Sequence, residues 1–75
     1  MKKFNIRIAL YIKHDAAATR ATIDQVMQVH ELKGTWDRWT PAILFRQVDP
    51  VTILPVLEAV LKMNCGLSIS VYHEA

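Results

Sequence analysis

The chain is poor in the residues that carry most small-protein chemistry: its 75 residues include one cysteine, three histidines and two glycines. A single thiol, Cys65, excludes an internal disulfide framework. His14, His30 and His73 share no ligand spacing, so no metal site is expected. The loop after the first predicted strand, Lys13-His14-Asp15-Ala16, has no glycine and lacks the backbone freedom of a phosphate cradle, so no cofactor is expected. No apolar run approaches the ~18 residues of a membrane span, and no membrane association is expected. Charge of one sign is also lacking. Nine Lys and Arg against seven Asp and Glu give a net charge of +2, which excludes a polybasic nucleic-acid tail and an acidic solvating segment alike.

What the chain does have is apolar content. At 52% hydrophobic and 21% charged it has enough to fold, and 75 residues make one small domain. Ordering a residue costs roughly 1.5 kcal/mol, and cores of this size barely offset that without a disulfide, a metal or a partner subunit. With no disulfide and no metal, self-association as a homodimer is the expected supplement. Lys2 and Lys3, then Ile6, Ile8, Leu10 and Ile12, then Ala16-Ala17-Ala18 imitate a secretory leader. Asn5, Arg7 and Lys13 interrupt its apolar run, so the segment reads as a strand and the protein as cytoplasmic.

Residues 4–13 alternate strictly, with Phe4, Ile6, Ile8, Leu10 and Ile12 on one face and Asn5, Arg7, Ala9, Tyr11 and Lys13 on the other. Over 15–33 the period changes to that of a helix capped by Asp15 and ended by Gly34 as its left-handed residue. Ala16, Thr19, Ile23, Val26, Met27 and His30 fall on its apolar side, with His30 near the centre. Residues 43–48 read as a short strand and 53–63 as a second helix, opened at Asp49-Pro50 or capped at Thr52, and ended by Gly66. Seven apolar residues between Ile53 and Met63 span about half of that helix's circumference, with Glu58 and Lys62 on the wet side. Leu67, Ile69 and Val71 alternate with Ser68, Ser70 and Tyr72 as a last strand.

Residues 35–40 are ambiguous, because Trp36 and Trp39 are three apart and a flat strand sends them to opposite faces. As a strand they complete an α+β two-layer sandwich, the ferredoxin-like β-α-β-β-α-β, with two helices on one face of a small antiparallel sheet. As a loop they leave β-α-β-α-β and a three-stranded sheet.

Enzyme chemistry is not expected. Asp15 and Asp49 are absorbed as caps, and Asp24, Glu31 and Glu58 as solvated helix positions. Cys65 follows a helix C-terminus, where the dipole disfavours thiolate. His30 is either a core histidine, or the end of a helix swinging clear, or a pH switch.

Two surfaces remain. The sheet face away from the helices is expected to carry Asn5, Arg7, Ala9, Tyr11 and Lys13, then Leu44, Arg46 and Val48, then Ser68, Ser70, Tyr72 and Glu74. Trp36, Arg38 and Trp39 form a second, aromatic and cationic group. Arg, Tyr and Trp are enriched where proteins meet. The expected partner-binding residues are therefore Arg7, Tyr11, Lys13, Trp36, Arg38, Trp39, Arg46 and Tyr72, serving a non-catalytic module that acts as adaptor, inhibitor or antitoxin-like partner of a larger protein. The alternative is single-stranded nucleic-acid binding, with bases stacked on Tyr11 and Tyr72 and phosphates on the cations.

Overall fold

The alternating isoleucine segment forms the strand around which the rest is built. The computed structural model describes residues 2–73, and β1 runs Phe4–Tyr11. It is followed by α1 (Ala16–Val29), β2 (Gly34–Trp36), β3 (Ala42–Val48), a 3₁₀ turn (Pro50–Ile53), α2 (Leu54–Lys62) and β4 (Gly66–Val71). The four strands make one open sheet in the order β2-β3-β1-β4, and all neighbours are antiparallel. Among the described residues no helix is long and apolar enough to cross a membrane.

Both helices bury their apolar sides on the same face of the sheet. Ile6, Ile8 and Leu10 from β1 and Ile43 and Phe45 from β3 share one cluster with Ile23 and Met27 of α1, Ile53, and Val56 and Val60 of α2. Alternation in β1 therefore does what it predicts, putting the alternate side chains of Ile6, Ile8 and Leu10 into the core. The strand pairs with β4 as far as Tyr11, opposite Gly66, and with β3 only as far as Ala9, opposite Ala42, so the expected extension to Lys13 is shortened.

The helix ends differ from expectation, and for one reason at both. Asp15 caps α1 as predicted, its Oδ1 accepting from Ala18 N–H at 3.0 Å. The helix closes earlier than residue 33, with Leu32 N–H donating to Met27 O (2.8 Å) and Glu31 N–H to Gln28 O (3.2 Å). Cys65 N–H to Val60 O and Asn64 N–H to Leu61 O close α2 in the same way. This paired closure needs one left-handed residue, and Glu31 (φ 55°) and Asn64 (φ 54°) supply it. Neither glycine has positive φ. Gly34 instead starts β2, where a Cβ would stand 2.7 Å from Met27 Sδ, 2.8 Å from Ile43 Cγ2 and 2.9 Å from Phe45 Cε1. Gly66 starts β4 beneath the Tyr11 ring. Because α1 ends at Val29, His30 lies exposed beyond it rather than at the centre of an apolar face. Neither the core nor the pH-switch reading of His30 therefore holds.

The second helix also opens in two steps. Asp49 caps the 3₁₀ turn, accepting from Val51 N–H at 3.1 Å, and Thr52 Oγ1 donates back to Asp49 O instead of capping α2. Pro55 falls in the first turn of α2, where its missing N–H costs no helix bond. The ambiguous stretch resolves as a three-residue strand followed by a turn, so Trp36 lies in β2 and Trp39 outside it.

Candidate functional site

The sheet face opposite the helices is open, and its residues follow from the strand registers. Arg7 lies between Leu44 on β3 and Ser70 on β4, and Ala9 between Ala42 and Ser68. Tyr11, 61% exposed, stands opposite Gly66 at one end. Lys13 is exposed just beyond it. At the other end Tyr72 N–H donates to Asn5 O at 3.0 Å, and Arg46 is exposed on β3.

Two positions expected on this face have a structural role at the end of the β1–β3 pair. The β1–β3 register shifts between Phe4 and Ile6, with Gln47 at φ 50°, and this bulge turns Val48 onto the buried cluster. Asn5 Oδ1 serves the bulge itself, accepting from Gln47 N–H at 3.0 Å and from its Nε2 at 3.3 Å. Glu74 lies outside the described residues.

The two tryptophans separate. Trp36 pairs with Ile43 and so points to the helix side of the sheet. Its Nε1 donates to Asp24 Oδ1 at 2.7 Å, and the Arg20 guanidinium lies 4.5 Å from its ring centroid. Asp24 and Arg20 are one turn apart on α1, so Trp36 fixes β2 to that helix; its cation is Arg20, not Arg38. Trp39 is 85% exposed on the turn after β2, next to the exposed Arg38.

That turn is tied down. Asp37 Oδ1 accepts from Trp39 N–H at 3.0 Å, and Asp37 Oδ2 from Thr40 Oγ1 at 3.1 Å. Thr40 Oγ1 in turn accepts from Arg7 Nη2 at 3.1 Å. Arg7 is opposite Leu44, so to reach Thr40 its side chain passes the Ala9–Ala42 pair on the same face, and Ala42 is fully buried. The Trp39 amide, then the Thr40 hydroxyl, and also the Arg7 charge hold the Asp37 carboxyl below its ordinary pKa. The relay Arg7–Thr40–Asp37 therefore fastens the Trp39 turn to the central strand. Tyr11, Lys13, Arg38 and Trp39 gather at one end of the open face, Arg46 and Tyr72 at the other, with Arg7 between.

Cys65 is buried, its Sγ donating to Tyr11 O at 3.4 Å. Among the described residues no group of three or more His, Cys, Asp or Glu side chains comes together to hold a metal. An open groove of about 690 Å³ lies between the end of α1 and the 3₁₀ turn, lined by Lys3, Glu31, Lys33, Arg46 and Asp49 among others. Its Asp49 carboxylate is already engaged as a cap. Sequence reasoning missed the Arg7–Thr40 link, whose partners are 33 residues apart, and the exposure of Leu54 and Leu61 on α2. The second had a signal: seven apolar residues on a nine-residue helix and its flanks exceed what one buried face needs. Comparison with family models, with curated proteins and with solved structures finds no match to this chain.

Proposed function

We propose that the chain is a small non-catalytic protein-interaction module that docks a larger protein on its open sheet face, with Arg7 near the middle of the contact and Trp39 as its anchor at one end. The observation that carries this reading is an 85%-exposed tryptophan held on a turn by named hydrogen bonds. An aromatic anchor carried on a fixed backbone has only its own two side-chain torsions to order on binding, which favours it over a residue on a mobile loop. The strand order and all-antiparallel pairing support reading the domain as a ferredoxin-like sandwich. That architecture hosts many unrelated functions, so it argues for no activity by itself.

Single-stranded nucleic acid is the weaker reading. Sheets that bind bases stack them on aromatic side chains of the central strands. Here the central strands direct Arg7, Ala9, Leu44 and the fully buried Ala42 to that side, none of them aromatic, and Tyr11 stands at the rim. Affinity capture from the protein's own cell extract tests the proposal, comparing the intact chain with Trp39→Ala and Arg46→Ala. A protein partner retained by the former and lost from both variants is expected. An unchanged partner set in both variants refutes the docking face. Retention of an oligonucleotide whose binding falls steeply between about 50 and 200 mM salt replaces it with the nucleic-acid reading.

A further inference from the structure

Among the described residues, one edge of the sheet, β4, pairs with no further strand. Tyr72 N–H bonds to Asn5 O, which sets the phase of the β1–β4 ladder. Residues 66, 68 and 70 then direct their amides and carbonyls at β1, and the intervening Leu67, Ile69 and Val71 direct theirs outward. Leu10 N–H to Pro41 O fits the same phase, since it commits the even residues of β1 to β3. The free edge is six residues long, Gly66–Val71, with no charge, no proline and no shift in register. These are the devices by which sheet edges are normally kept from pairing. The other edge, β2, is three residues long and ends in a turn.

An apolar flank of α2 stands beside the same edge. Val56 and Val60 point into the core, and Pro55, Ala59 and Met63 line the groove toward α1. At 100° per residue Leu54, Leu57 and Leu61 lie on the side away from α1, which is the β4 side, and α2 packs against β4. Leu54 is 53% exposed, Leu61 64%, Ile69 49% and Val71 55%. Glu58 and Lys62, paired at 2.9 Å, neutralise each other on the crest of the helix.

We infer that a second copy of this chain docks here, β4 against β4, about a two-fold axis perpendicular to the sheet. Identical antiparallel strands centred on Ile69 place Ile69 opposite the partner's Ile69 and Leu67 opposite the partner's Val71. All three outward-facing residues then meet outward-facing residues, giving about six hydrogen bonds between chains. The leucine flanks of the two α2 helices close over the joined strands. The occupant is a second copy because the edge is complementary to itself: it has equal donors and acceptors, no charge to repel its equal, and one apolar side that must meet an apolar side. The four aliphatics, each about half exposed, supply on the order of 400 Å² when fully covered, and the strand edge with Leu57 supplies the rest of the ~600–800 Å² per partner that a small specific interface needs. This surface is distinct from the Trp39 face, and each stands or falls without the other.

Sedimentation velocity across a concentration series, with amide hydrogen exchange on the intact chain, tests it. The expected species is a dimer of about 17 kDa, twice the 8.6 kDa chain. Exchange at Leu67, Ile69 and Val71 slows as the dimer populates, while Ser68 and Ser70, already bonded to β1, change little. Ile69→Lys and the helix-surface variant Leu61→Glu each weaken the dimer about a hundredfold, because every substitution enters a two-fold interface twice. Trp39→Ala leaves it intact. A monomer at all concentrations, fast exchange at the three outward amides in a dimer, a dimer that survives Leu61→Glu, or one lost in Trp39→Ala overturns the inference. The exchange result stands even where Ile69→Lys fails to fold.

Discussion

Replacing Gly34 by alanine sets two physical effects against each other, and the structure decides which wins. Gly34 has no positive φ, so alanine fits its backbone. On conformational grounds alone the substitution stabilises by about 0.4–1 kcal/mol, since the unfolded chain loses freedom. Space argues the other way. The new methyl would lie 2.7 Å from Met27 Sδ, 2.8 Å from Ile43 Cγ2 and 2.9 Å from Phe45 Cε1, against the roughly 3.5–4.0 Å of ordinary carbon contact. Ile43 and Phe45 are fully buried on a central strand and have nowhere to retreat. Only the Met27 thioether is flexible. Overpacking of this kind costs about 1–3 kcal/mol, leaving a net loss of roughly 1–2 kcal/mol once the conformational gain is subtracted. At about 4–8 °C per kcal/mol for a domain of this size, the melting temperature falls by roughly 5–15 °C. Urea and thermal unfolding followed by circular dichroism read the change at one fixed protein concentration. In a Met27→Ala background the penalty shrinks by at least ~0.5 kcal/mol, because the nearest atom is gone. A Gly34→Ala protein as stable as the parent, or more so, refutes the steric account and with it the close packing of β2 on α1.

Two further substitutions probe the same local chemistry. Glu31 occupies the left-handed position that closes α1, at φ 55°, where a side chain is strained, so Glu31→Gly is expected to stabilise by about 1 kcal/mol in the same unfolding assay. Asp37 has its pKa lowered by the Trp39 amide, the Thr40 hydroxyl and Arg7. The order it gives the turn is therefore complete above the ordinary carboxylate pKa and is lost as pH falls through the lowered one, in the range below about pH 4. The Trp39 amide resonance is expected to shift across that window in the parent and to stay flat in Asp37→Asn; equal profiles in the two remove the carboxylate from the turn.

The sequence was most legible where one period runs without interruption. Strict alternation from Phe4 placed Ile6, Ile8 and Leu10 inward correctly, because a strand with one buried face tolerates no other phase. Asp15, and the Glu58–Lys62 pair, were legible because their partners are three or four residues away. Glycine was misleading. The rule that a helix ends on it held at neither helix, since Glu31 and Asn64 take the left-handed turn and leave both glycines for close approach to Met27 and Tyr11. The bulge at Gln47 had no local mark, having neither glycine nor proline, and it alone removed Val48 from the open face. The candidate site was half legible. Its residue types were visible, but Trp36 with Arg20 and Asp24, and Arg7 with Thr40, are contacts between separate elements that only folding brings together.

The two proposed surfaces gain from each other through symmetry. A two-fold axis perpendicular to the sheet joins two four-stranded sheets into one of eight strands, with all four helices on one side. The open faces consequently lie side by side on the other, each with its own Trp39 turn between β2 and β3. A partner with paired or repeated epitopes then meets two anchors at once, and the second contact forms at the high effective concentration set by a rigid sheet rather than a linker. The consequence separates the roles of the residues. Trp39→Ala removes the anchor and weakens each contact, whether or not the chain is dimeric. Ile69→Lys leaves each anchor intact, so a monovalent partner binds as before and only the advantage for a bivalent one disappears. Apolar surface left on α2 and β4 is, on this account, what turns one modest docking face into a paired one.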